Sequence, residues 1–413
     1  MVKISVIIPN YNNAKFLKKS ISSVYDQSLK DIETICIDDG STDDSLKVLD
    51  ELKQEFSTLK VISQENQGQG NARNAGLKIA AGEYVAFLDS DDVFIDENAL
   101  ERMYELAKKE NLNMVTANLA FVDRKYKIKR ENPHEFLECL YINEYGVIDT
   151  QSYGIPQGFT KSIFNLNFLS SRDITFPDVF AGENNIFLAN VLVNTSKIGA
   201  VPLDLYGYNN SVGGRLSKKI NTYDRKRQHM AHFKMVCDIL SNGNFDNASN
   251  EYKNYLFKYL ISEKNVSDVD LFRSFKGVFN DCGEDYFDDA NENYIKFIIL
   301  YKTYLLKHSS CEQLFYEIKN EFSQYHLEFM EDIDLTVVKM YLLVINSDSL
   351  DDFKLRHNKF TLKELENEQK QLKIKNKQLK DEKRELNAEL KKIERLNDEL
   401  FDSSSWKVTK FLR

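Results

Sequence analysis

Residues 86–92 read A-F-L-D-S-D-D, an apolar run that ends in Asp89, Asp91 and Asp92. Carboxylates crowded this closely repel one another, so they require either water at a loop tip or a cation between them. Asp89 and Asp91 stand two apart at a strand end, which lets both side chains turn towards one point beyond the sheet. Hard divalent ions such as Mn²⁺ or Mg²⁺ take carboxylate oxygens and complete their shell with phosphate oxygens and water. Two carboxylates hold such an ion weakly, which suits a metal that arrives with a diphosphate. The D-x-D pattern alone is unspecific, because it also occurs in solvated loops. A second pair of candidate ligands, His229 and His232 in R-Q-H-M-A-H, lies three apart on an expected helix. No third ligand is close in sequence, and the competing reading is a surface helix face.

The acids depend on elements upstream to place them. Ile4 to Ile8, Ile32 to Ile37, Leu59 to Ser63 and Tyr84 to Leu88 read as strands. Between them, Phe16 to Val24, Asp44 to Phe56 and Asn71 to Ala81 carry helical spacing. Alternation of this kind predicts an α/β domain with a mostly parallel sheet over the first 120 or so residues. Each strand runs into a polar loop, P-N-Y-N-N, D-D-G-S-T-D, Q-E-N-Q-G-Q-G and D-S-D-D. Those loops fall beyond the carboxyl ends of the strands, where open α/β sheets bind ligands.

Taken together, V-I-I-P-N-Y-N-N, C-I-D-D-G-S-T-D-D-S and the run from Asn66 to Asp92 closely resemble the nucleotide-binding half of family-2 glycosyltransferases. These are inverting, metal-dependent enzymes of the Rossmann-like GT-A fold. The resemblance is dense over residues 3–95 and fades to isolated matches by about residue 215. It implies a UDP-sugar donor, with Pro9 and Tyr11 walling the base and Asp39 accepting the uracil N–H. Asn66 and Arg73 would sit near the ribose and phosphates, Arg73 offsetting diphosphate charge. Asp89 would contact the ribose or the metal, and Asp91 would ligate the metal. Asp43 and Asp44 read instead as helix N-terminal acids, Asp92 as a solvated acid, and Gly68 and Gly70 as turn residues.

Inversion needs a general base for the attacking hydroxyl. The family supplies an Asp, usually second in a Glu-Asp pair, but the matching stretch here, F-A-G-E-N-N-I-F, has Glu183 followed by Asn184. An amide cannot take that proton. Three readings follow: Glu183 is the base, Asp178 in the preceding F-P-D-V-F supplies it, or the chain is a weak or inactive scaffold that binds nucleotide-sugar or glycan. Relatives also place a His and a Ser after Y-x-Y-R. Here Ser211, Arg215 and Ser217 follow L-Y-G-Y with no His, leaving Arg215 to do part of its work.

Composition narrows the classes. The chain has 413 residues, 42% of them hydrophobic, enough for more than one cored domain, and a net charge of −9 that argues against nucleic-acid binding. Its five cysteines form no C-x-x-C pair and read as buried, reduced thiols. No signal peptide or membrane span is expected, which points to a cytoplasmic protein with at most peripheral contact at the inner membrane face.

The organisation expected is a GT-A domain at 1–235, split into a nucleotide-binding half (1–120) and an acceptor half (121–235), then a helical domain (236–355). At 360–400, Leu365, Leu372, Leu379, Leu386, Ile393 and Leu400 recur every seven residues, with Asn376 and Asn397 in the other seam. That pattern predicts a coiled coil forming a dimer or trimer. The tail at 401–413 is basic and aromatic and could rest on an anionic lipid surface or cap the coil. The functional expectation is transfer of a sugar from a UDP-sugar to a growing cell-surface glycan or lipid-linked acceptor.

Overall fold

The computed structural model describes residues 1–129, 139–179, 181–209, 222–261, 269–279, 292–309, 311–323 and 335–359. Four strands, β1 (Ile4–Asn10), β2 (Ile32–Asp39), β3 (Leu59–Gln64) and β4 (Tyr84–Phe87), pair in parallel in the order β3-β2-β1-β4. Helices α1 (Ala14–Tyr25), α2 (Ser45–Glu55) and α3 (Gln69–Ile79) connect them. The continuous apolar runs follow from burial on both faces: every residue of β1 is buried, as is all of β4.

Beyond β4 the sheet becomes mixed. β5 (Val93–Phe94), α4 (Ala99–Glu110), β6 (Met114–Val122), β7 (Gly146–Asp149), β8 (Ser162–Asn165), the short α5 (Leu166–Ser171), α6 (Glu183–Val193) and β9 (Lys197–Asn209) follow in order. β8 lies antiparallel between β4 and β6, and β9 runs parallel to β6 with β5 and β7 antiparallel on it. The sheet is thus parallel where the repeating strand–helix pattern predicts it and mixed where that pattern fails.

Helices α7 (Tyr223–Asn242), α8 (Asp246–Ile261) and α9 (Val269–Phe279) complete a compact unit spanning Met1–Phe297. A second unit begins at Ile298, and its described residues are helical, including α11 (Glu312–Phe322) and α12 (Leu335–Ile345) after α10 (Glu292–Ser309). No helix among the described residues is long and apolar enough to cross a membrane. Cys36, Cys139 and Cys237 are buried free thiols, whereas Cys311 is exposed, contrary to the sequence expectation. The heptad segment, the tail, Ser211, Arg215 and Ser217 lie outside the described residues.

One close approach fixes the element that matters most. A Cβ at Gly76 would lie 2.5 Å from Ile7 Cγ2, so α3 is pressed onto β1 as only a glycine there allows. Its preceding turn is thereby held at the carboxyl edge of the sheet, and Arg73 points beneath that edge with no exposed surface.

Candidate active site

A cavity of about 710 Å³ opens at the carboxyl ends of the parallel strands. β1 contributes Pro9 and the following Tyr11, β2 ends in Asp39, the loop into α3 adds Asn66 and Gly68, and β4 is followed by Asp89 and Asp91. From the other half of the unit come Asp178, Glu183 at the first turn of α6, and Tyr208 at the end of β9. Its volume is in the range of small-ligand sites. Most of the described residues expected at the donor and base positions therefore line one cavity, whereas Arg73 and Asn184 do not.

Arg73 is entirely buried. Nη2 donates to Asp89 Oδ1 at 2.8 Å, and Nη1 donates to Asn184 Oδ1 at 2.7 Å and to Glu183 Oε1 at 3.3 Å. The guanidinium carbon lies 4.8 Å from the Phe159 ring centre and 5.2 Å from that of Phe176. Two carboxylates and two aromatic faces thus compensate a charge that would otherwise be very costly to bury. The guanidinium stands behind the cavity wall rather than in it, bonded to Asp89 and Glu183, which do line the cavity.

Asp39 is 3% exposed and already engaged. Its Oδ1 accepts from the Gln64 side chain at 2.8 Å and the Gln67 N–H at 2.9 Å, and Oδ2 accepts from the Gly68 N–H at 2.8 Å. It ties down the loop that brings Asn66 to the cavity. One acceptor direction on Oδ2 remains for a ligand. Asp178 accepts from the Asn71 amide at 3.1 Å on the exposed rim.

The three acids divide by environment. Asp89 receives Arg73 and the Gln69 amide on Oδ1, leaving Oδ2 for a further partner. Asp91 lines the cavity beside it. Asp92, expected in solvent, is buried: its Oδ2 accepts from the Tyr206 hydroxyl at 2.5 Å and Oδ1 from the Asn209 N–H at 2.8 Å. Burial, and then the charges of Asp91 and Asp89, push its carboxyl well above the usual range. It is a strut between the β4 turn and β9. Among the described residues no three His, Cys, Asp or Glu side chains form a metal cluster. The all-oxygen set of Asp91 and Asp89 Oδ2 nonetheless fits a hard divalent cation that shares its shell with phosphate.

Two glycines shape the wall. Gly70 sits inside α3, not in a turn, and a Cβ there would meet Glu183 Cγ at 3.3 Å and Phe176 Cβ at 3.4 Å. Gly182, immediately before α6, has φ +83° and would drive a Cβ to 2.2 Å from the His232 ring. His232 and His229 are therefore not a surface pair. Their rings pack 4.8 Å apart, and burial lowers both, His229 to about 4, so they stand as neutral core imidazoles. Asp43 accepts from the N–H groups of Ala14 and Ser45, as an acid at the start of α2 should.

Residues 5–164 match the family described as glycosyl transferase family 2. This is a family-2 glycosyltransferase domain. The chain is 28% identical over 298 residues to the cholesterol galactosyltransferase of Borreliella burgdorferi, covering 66% of this chain and 80% of that protein. It is 33% identical over 206 residues to the poly(ribitol-phosphate) beta-N-acetylglucosaminyltransferase TarP of Staphylococcus aureus, covering 47% and 59% respectively. It spans less of other curated relatives: 38% of an uncharacterized glycosyltransferase of Nostoc, at 46% identity, covering 30% of this chain. Among solved structures, S. aureus TarS 1–349 in complex with UDP-GlcNAc shares the fold, with a TM-score of 0.51 and 17% identity, covering 87% of this chain and 92% of that one.

Gln69 and Tyr206 are hydrogen-bond partners of the acids that sequence reasoning missed. Gln69 was legible, because it precedes Arg73 by one helical turn and shares its target, Asp89. Tyr206 was not, since its partner Asp92 lies 114 residues away.

Proposed function

We propose that this chain is an inverting glycosyltransferase that moves a sugar from a UDP-sugar to a cell-surface glycan. The observation that carries the reading is the shared cavity: the Glu183 carboxylate and the Asp89–Asp91 acids face the same space. On this reading Pro9 and Tyr11 wall the base, and Asp39, while holding its loop, retains an oxygen for the uracil imide. Asp89 and Asp91 would hold Mn²⁺ or Mg²⁺, which when bound offsets the negative charge developing on the departing diphosphate.

Glu183 is the base. Asn184 faces Arg73 and does not line the cavity, so its amide leaves the acceptor side without disturbing it. Glu183 does line the cavity and can take the proton of an incoming hydroxyl as that oxygen attacks the anomeric carbon. Arg73 fixes the carboxylate in direction through its Nη1. The names of the relatives, acting on cholesterol and on poly(ribitol-phosphate), support a surface glycan or glycolipid as acceptor class.

The test is release of UDP from UDP-glucose, UDP-galactose, UDP-N-acetylglucosamine and UDP-N-acetylgalactosamine with Mn²⁺ or Mg²⁺, with and without extracted surface glycan. Turnover by the parent, lost in Glu183→Gln, supports the reading. Bound UDP with no turnover under any condition would replace it with a nucleotide-sugar-binding scaffold.

A further inference from the structure

A second cavity of about 530 Å³ lies between α7 and α9, lined by Asp224, Arg227, Gln228, Ala231, Gly277 and Val278. Gln228 lines this groove and the donor cavity alike, so the two meet at this residue of α7. Three polar side chains along the groove, Asp224, Arg227 and Gln228, are exposed and make no hydrogen bond or ion pair with any described residue. They offer an acceptor-only carboxylate, a donor-only fork and an amide that does both. Two exposed aromatics stand nearby: Tyr208 lines the donor cavity, and the Tyr223 hydroxyl lies 3.6 Å from a Cβ built on Gly277.

We propose that this groove is an acceptor site for a polyhydroxylated strand, which it leads to the Glu183 end of the donor cavity. Planar polar groups able both to donate and to accept match vicinal hydroxyls, and exposed tyrosine faces match the C–H faces of sugar or polyol units. Because the groove meets the donor cavity at Gln228, the acceptor is the ligand it would take. The groove takes the units behind the reacting hydroxyl, so it governs how well an extended acceptor binds rather than how the donor binds. The inference rests on the transferase reading.

Gly277 supplies a clean block. It lies within α9 without a positive φ, and apart from the Tyr223 hydroxyl a Cβ there meets nothing within 4 Å. A tryptophan at this position starts from an uncrowded Cβ and projects into the groove that Gly277 lines, and thermal melting checks that the fold is kept. The experiment is saturation-transfer NMR of the full chain, in the presence of UDP, with poly(ribitol phosphate), N-acetylchitopentaose and maltopentaose as probes. Calorimetric UDP binding and thermal melting are followed in parallel. The expected result is that at least one probe binds the parent and loses about tenfold or more in affinity in Gly277→Trp, a loss of about 1.4 kcal/mol. Arg227→Ala should weaken the same probe by a similar factor of about ten, as removal of one charged hydrogen bond does. UDP affinity should stay within about twofold, a difference too small to reflect a lost contact. No probe binding to the parent, or equal binding to parent and both variants, overturns the groove. Failure of the parent to bind UDP instead overturns the transferase reading on which it rests.

Discussion

The guanidinium of Arg73 and the side-chain amide of Asn184 meet at 2.7 Å, across 111 residues of sequence. That contact gives a physical reason for the amide. Arg73 is already shared between Asp89 and Glu183, so a third carboxylate at position 184 would leave the buried cluster with excess negative charge. With Asn184 the cluster holds two carboxylates and one guanidinium, and both carboxylates, Asp89 and Glu183, line the cavity.

The first prediction concerns this pair. Glu183→Gln should lower sugar transfer by about a hundredfold or more while UDP binding persists, the usual effect of deleting a general base. Asn184→Asp should leave turnover within about threefold of the parent, because the new carboxylate faces Arg73 rather than the acceptor. Initial-rate measurements of UDP release decide the matter. A large gain in Asn184→Asp would mean that the base belongs at position 184 and that Glu183 is not it.

Arg73→Ala should destabilise the compact unit by about 3 kcal/mol, because Asp89 and Glu183 lose their shared counter-ion in a largely buried setting. Arg73→Lys should fall between parent and alanine, since one ammonium cannot reproduce a fork that spans three acceptors. Urea unfolding followed by far-UV circular dichroism gives both values. Equal stability of parent and Arg73→Ala would show that the cluster holds no net energy.

How much of this was legible beforehand depended on distance along the chain. The four parallel strands and three helices announce themselves because their patterning is local, and the β1, β2 and β4 ends fall where the polar loops begin. Asp39, Asp89, Asp91 and Glu183 could be singled out, and they reach one cavity. What escaped was the state of burial. Asp92 and the His229–His232 pair read as solvent-facing, yet Asp92 is covered by β9 and His232 is pressed against Gly182. The resemblance implies a place near the phosphates for Arg73, while its cage of Phe159 and Phe176 comes from the other half of the unit.

Gly70→Ala separates position from stability. Its Cβ would press on Glu183 Cγ at 3.3 Å and displace the carboxylate by a few tenths of an ångström. Alanine within a helix otherwise stabilises by up to about 1 kcal/mol. The expectation is a turnover number reduced by about tenfold with an undiminished melting temperature. Gly68→Ala is the contrast. It has φ +91° and nothing within 4 Å of the new Cβ, so it should lose stability with a smaller effect on Glu183. Matching activity losses in the two variants would sink the positional account.

Asp92 carries a pH dependence with a defined sign. Its carboxyl titrates above its unfolded value, which is about 4. A raised carboxyl favours the folded state fully below that unfolded value, and the contribution is lost as pH rises through the folded one. In Asp92→Asn the titration is absent. The difference in unfolding free energy, parent minus variant, should therefore be most favourable to the parent near pH 4 and fall as the pH is raised. Its slope should approach about 1.4 kcal/mol per pH unit before levelling off. The other carboxylates titrate in both proteins, so they largely cancel in the difference. Excess Mg²⁺ supplies a second readout. Asp91 and Asp89 help to raise Asp92, so a cation held between them should relieve that repulsion, and the fall, still starting near pH 4, should level off at lower pH with a smaller total loss. Parallel stability curves for parent and variant would refute the buried-acid assignment, and a levelling-off point unmoved by Mg²⁺ would place the cation elsewhere.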